Sequence, residues 1–278
     1  MNHVCTNAVV LSRRPNLIAL GELFVLTLRQ LVRGRRLLVL SLLFSLPSAL
    51  VALVYLASRH SLPAEEIQFG LVFNLIPHAL APLATLLYAA GIIQDEVEEQ
   101  TLTYLLLRPL PKWALYITKL MATLLMTSLL ITVFTSATFV VIALMAKEPV
   151  NVALAERALK TAALLSLAQV GYCGLFGLLG LLMRRSLLIG VAYIVFFEGV
   201  LASIDMVARR LTVMYYFRVL VLRWLEPKSG KEWFIDLATA PQARTCVLIL
   251  LGVGLVMATA AAVFFALREF RMKTPEGN

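Results

Sequence analysis

The chain is short of the residues that do chemistry and of the charges that face water. Only 15% of its 278 residues are charged, against 60% that are hydrophobic, a balance well outside that of soluble domains. Cysteine is limited to Cys5, Cys173 and Cys246, too few and too scattered for a disulfide framework or a metal cluster, and the three read as inert filler. The histidines are His3, His60 and His78; none has a partner at ligand spacing, so no metal site is expected. Neither H-E-x-x-H nor G-x-S-x-G occurs, which leaves an intramembrane protease without its apparatus. A phosphate-cradling loop is missing too. The one Gly-Lys pair, Gly230-Lys231, has Leu225 where the first glycine of G-x-x-x-x-G-K-[ST] belongs and Glu232 where its hydroxyl belongs. ATP chemistry, if any serves this chain, must come from a separate one.

What the chain has is long charge-free runs. Residues 37–57, 71–93, 120–146, 161–183 and 245–267 each reach the roughly 20 apolar residues needed to cross a hydrocarbon core of about 30 Å. A sixth run, 186–204, is interrupted only by Glu198. The runs are continuously apolar rather than alternating, which predicts helices and not barrel strands. The expected fold is therefore all-α: a single polytopic domain over 1–278 with six transmembrane helices. Arginines at 13, 14, 29, 33, 35 and 36 and Glu22 occupy the first 36 residues, so no cleavable signal peptide is expected and the first span serves as the address.

Lys and Arg concentrate in short loops on the cytoplasmic side. Placing both termini there gives that side the majority of the 25 Lys and Arg, including Arg108, Lys112, Lys119, Arg184, Arg185, Arg268, Arg271 and Lys273. Leu17, Leu20, Phe24, Leu28 and Leu31 recur at helical spacing, with Glu22, Arg29 and Arg33 on other faces, which predicts an amphipathic entry helix over 17–36 lying on the cytoplasmic surface. The outer segment 206–244 mixes Leu211, Met214, Tyr215, Phe217, Val219, Leu222 and Trp224 with Arg209, Arg210, Arg218 and Arg223. It reads as an interfacial or re-entrant helix, or else as a solvated loop with aromatic anchors.

Between the second and third spans lies a cytoplasmic hairpin, 94–119. Asp95, Glu96, Glu98 and Glu99 precede a short helical pattern with Leu102, Leu105 and Leu106 on one face, closed by Pro109 and Pro111. Acids favour a helix N-terminus for dipole reasons alone, so spacing leaves a docking role and simple capping both open. The stretch resembles the ABC-2 type permease family at Glu98, Glu99, Thr101, Leu102, Leu105, Leu106, Arg108, Pro109, Lys112 and Lys119. Gln100 stands where many members have Gly. Phe24 to Arg36 is similar to the family's entry helix, and Phe197-Glu198-Gly199-Val200-Leu201 to a segment of its fifth span; the nitrous-oxide-reductase maturation permeases are the nearest subgroup it resembles. The resemblance implies an exporter of two membrane subunits and two cytosolic ATPases in the bacterial cytoplasmic (inner) membrane. The hairpin would be the coupling element, ATP and Mg would be bound by the partner ATPase, and the second membrane subunit would be another copy or a paralogue. The lipid bilayer is the other partner expected, and nucleic acid is not.

Inside the spans, Asn74, His78, Thr85 and Tyr88 fall at offsets that place them on one stripe of an α-helix, interrupted by Pro77 and Pro82. Such a stripe suits a substrate path or an inter-subunit seam, or a set of internally bonded polar groups. Span three carries seven Ser and Thr residues between 123 and 138, whose default is to bond the preceding turn. Gly171, Gly174, Gly177 and Gly180 form a small-residue ridge on span four. Glu198, the acid within a span core, is either functional or a hydrogen-bond anchor between helices. An ion-coupled secondary transporter titrating Glu198 and a non-transporting scaffold are the rival functions. Paired broken helices in inverted halves, expected of the former, are not evident.

Overall fold

The computed structural model describes residues 17–57, 64–98, 110–146, 151–183, 185–201, 207–227, 233 and 235–268. Among them there is no strand, and five helices are long and apolar enough to cross a bilayer. The chain is an all-α, multi-pass membrane protein.

Helix α1, Leu17–Arg33, turns only Leu23 and Thr27 fully inward and leaves Leu17, Ile18, Val25, Leu26 and Val32 exposed. Gly34 then bends the chain into α2, Arg35–Ala57, and its N–H still bonds the Gln30 carbonyl at 3.0 Å. Leu40, Phe44, Pro47, Val51 and Tyr55 are the buried stripe of α2, while Leu38, Leu42 and Leu53 face outward. An apolar exterior of this kind requires hydrocarbon as its solvent.

The second span, Glu65–Glu96, is not one regular helix. After a short turn, α3 (Ala64–Ile67), it widens into a π-helix over Gln68–Leu80, then continues as α4 (Ala81–Ala89) and α5 (Gly91–Glu98). The Ala81 N–H reaches back five residues to the Ile76 carbonyl. Pro77 has no N–H to give an α-helical ladder and its ring crowds the preceding turn; a wider turn relieves that conflict.

Span three is α6, Lys112–Met145, whose 34 residues reach about 51 Å at 1.5 Å per residue. The hydroxyls of Thr118, Thr127, Thr132 and Thr138 each donate to the carbonyl four residues back, as membrane helices commonly arrange. Span four, α7 (Val152–Leu182), begins at Asn151, whose side chain accepts the Leu154 N–H. It is the central post, packed against α4, α6 and the last span, α10 (Ala243–Leu267). Gly174 and Gly254 make the α7–α10 crossing possible: a Cβ on Gly174 would lie 2.6 Å from the Gly254 carbonyl oxygen, and one on Gly254 would lie 2.6 Å from that of Val170.

Of the expected sixth span, the described part is α8, Ser186–Tyr193, followed by a π-helix over Ile194–Leu201, and this stretch is not among the five helices long enough to cross. A 3-10 turn, Val207–Leu211, leads to α9, Val213–Trp224. Nine of the 12 residues of α9 are buried, and it packs on α7 and α10. The 206–244 segment therefore holds a helix built into the bundle, not a solvated loop. Arg223 secures the return path by donating to the carbonyls of Leu237, Ala240 and Pro241.

Candidate functional site

Of the hairpin residues singled out in the sequence, Glu99, Thr101, Leu102, Leu105, Leu106, Arg108 and Pro109 lie outside the described residues, as does the side chain of Glu98, which closes α5. The base of the hairpin is described. It is held by two ion pairs that draw on the first half of the acidic run. Arg36 grips Asp95 with both terminal nitrogens, at 2.6 and 2.8 Å, and also reaches the Leu87 carbonyl at 3.2 Å. Gly91 leaves space for this clasp, since a Cβ there would lie 2.7 Å from the Asp95 carboxylate. Lys119 Nζ meets Glu96 Oε1 at 2.5 Å, both side chains almost fully buried. Removing one member of such a pair strands a buried charge. Ser186 donates to Gln94 at 2.7 Å, and Arg268 donates to the Leu181 carbonyl at 2.6 Å. The hairpin's two arms are thus fixed to α1–α2, α6 and α8 at one end of the bundle. Arg36 was absent from the sequence-derived set because its partner stands 59 positions away.

A cavity of about 530 Å³ opens between these elements. Tyr88, Thr123 and Thr27 line it, together with Asp95, Glu96, Lys119 and the arginines of the Gly34 elbow.

The four polar residues expected on one stripe of span two are divided among three surroundings. Asn74 accepts the Trp233 indole N–H at 3.0 Å, and the Asn74 carbonyl meets His78 Nδ1 at 2.9 Å. His78 Nε2 lies 2.7 Å from Arg218 Nη2. A guanidinium only donates, so Nε2 is the acceptor and Nδ1 carries the proton that goes to Asn74. Arg218 also lies 5.4 Å from the centre of the Trp233 ring. Thr85 is fully buried against Gln169, whose amide donates to the Ala81 carbonyl at 3.1 Å. Tyr88 faces the hairpin-end cavity instead. The π-helix separates them, because its wider turns break the 3.6-residue phase on which the stripe rested.

Glu198 is fully buried and sits at the start of α9. One carboxylate oxygen accepts the Val213 N–H at 3.3 Å and the Tyr193 hydroxyl at 3.4 Å; the other accepts the Met214 N–H at 3.1 Å. Thr212 completes the cap by accepting from the Tyr215 N–H. A negative group here satisfies donors that the helix itself leaves unpaired and complements its dipole. Glu198 thus ties the end of the sixth apolar run to α9. Gln169, Arg218 and Trp233 are further polar anchors that local periodicity did not reveal.

A protein-family model described as ABC-2 family transporter protein matches residues 32–217, from the end of α1 into the first turns of α9. No curated protein matches the chain.

Proposed function

The chain belongs to the ABC-2 family of transporter proteins, and on that premise we propose that it is the membrane-spanning subunit of an ABC exporter, driven by a separate ATPase that docks on the 94–119 hairpin. As a family member it is a permease, a membrane transport component and not itself catalytic, and its family partner is an ABC ATPase. The finer reading places both termini and the hairpin in the cytoplasm of a bacterial cell and pairs the chain with a second copy of itself. ATP and Mg stay with the ATPase. The exported substrate is left unassigned.

The observation that carries the reading is the clamped hairpin base. A docking element transmits force only if it is stiffly joined to what it must move. Asp95–Arg36 and Glu96–Lys119 supply such joints on the first arm, and the second arm continues without a break into the 34 residues of α6. A push on the hairpin would tilt α6 as a lever. The ion-coupled alternative draws no support from Glu198, whose oxygens are engaged with two backbone donors of α9.

Reversing both remaining acids, Glu98→Lys with Glu99→Lys, tests the reading. The double variant is expected to reach the membrane in parental amount, to co-purify less ATPase and to lose stimulation of ATP hydrolysis. Undiminished ATPase recovery with undiminished stimulation would remove the hairpin from the coupling role.

A further inference from the structure

The hairpin-end cavity holds two features that packing alone leaves unexplained. Tyr88 and Thr123 line it, 2% and 1% exposed, and neither hydroxyl has a hydrogen-bond partner among the described residues. A buried hydroxyl without a partner is costly, so two lining one cavity point to a polar group that belongs there. The mouth of the cavity is cationic. Arg36 and Lys119 are neutralised by Asp95 and Glu96, but Arg33 and Arg35 line the same space and form no ion pair among the described residues. The first residue of the 23-residue α2, Arg35, also stands there. The net balance favours an anion.

The place of the cavity narrows the anion further. It lies beneath the Gly34 elbow between α1, whose outward residues are Leu17, Ile18, Val25, Leu26 and Val32, and α2, which presents Leu38, Val39 and Leu42 to the outside. These surfaces put the mouth where a membrane's headgroup layer meets its hydrocarbon. We infer that this cavity is a binding site for the phosphate of an anionic lipid headgroup, with Arg33 and Arg35 gripping the phosphate and the Tyr88 and Thr123 hydroxyls bonding the polar headgroup at depth. The bundle alone forms the site, so it stands independently of ATPase docking.

The full chain, purified in a neutral detergent, is titrated with short-chain phosphatidylglycerol, short-chain phosphatidylcholine, glycerol 3-phosphate and inorganic phosphate, and binding is followed by native mass spectrometry. Phosphatidylglycerol is expected to bind at least tenfold more tightly than phosphatidylcholine. Arg33→Gln with Arg35→Gln, both exposed and free to change without disturbing the core, should weaken it about tenfold. Thr123→Val, which keeps side-chain volume and removes the hydroxyl, should weaken it several-fold with an unfolding midpoint no lower than the parent's. Binding that requires the acyl chains identifies a lipid as the source of the phosphate; equal binding of glycerol 3-phosphate or inorganic phosphate identifies a soluble one and keeps the phosphate site. Equal affinity for the two lipids, or parental affinity in the double arginine variant, would overturn it.

Discussion

An acid inside a membrane helix invites a transport role, and Glu198 illustrates how burial and partners redirect that inference. Its carboxylate replaces the missing acceptors for two N–H groups at the head of α9. Glu198→Leu would leave both donors buried without a partner, at about 1–3 kcal/mol each. Glu198→Gln keeps one acceptor oxygen but turns an amide toward the other donor. The unfolding midpoint in detergent should therefore fall in the order parent, Gln, Leu, and a Leu variant as stable as the parent would refute the capping role. The acid was legible in the sequence, and so was its choice between function and anchor. Its partners were not, because Val213 and Met214 offer only backbone donors, which no side-chain pattern announces.

Helices are where local reading succeeded best and where its failures have clear causes. Unbroken apolar length is a property of the chain itself, so five spans were legible, as was the glycine ridge of α7. The back-bonds of Thr127, Thr132 and Thr138 in α6 were legible too, though not the Thr123 and Thr135 hydroxyls, which have no hydrogen-bond partner among the described residues. The phase of span two was not, because a π-helix shifts the register without changing composition. The sixth apolar run is described through Leu201 and is not among those five, and hydrophobicity alone does not reveal that its Glu198 caps α9. Close helix contact yields a paired test on α10. Gly254→Ala drives a Cβ into the backbone of α7, where repacking typically costs about 1–3 kcal/mol. Gly252→Ala meets nothing within 4 Å and is expected to be neutral or stabilising by about 0.5–1 kcal/mol. Thermal scans of the two variants should separate in that order, and equal midpoints would show that the crossing tolerates a wider gap. The hairpin base gives a second element-scale test. Lys119→Met takes the close cation away from the buried Glu96 carboxylate and should cost up to about 3–5 kcal/mol, whereas Lys119→Met with Glu96→Gln removes both charges and should recover part of it. A double-mutant cycle on unfolding midpoints measures that recovery; strictly additive losses would mean the pair is not a joint.

At the scale of the whole molecule, the bundle has two differently built ends. One end holds the clamped hairpin, the elbow at Gly34 and the cationic cavity; the other holds α9, Trp233 and the network running from Asn74 to Arg218. α6 and α7 run between them. This polarity is what a permease needs if force enters at one end and access changes at the other. The clasps at the hairpin base join residues 59 and 23 positions apart and required the fold. Placing a photo-cross-linking residue at Leu102, with a control at Leu211, which is 79% exposed at the opposite end, tests the central claim most directly. The account predicts a covalent adduct with a co-purifying ATPase from position 102, altered by ATP, and none from position 211. An ATPase that cross-links from 211, or one that co-purifies yet never cross-links from 102, would contradict it.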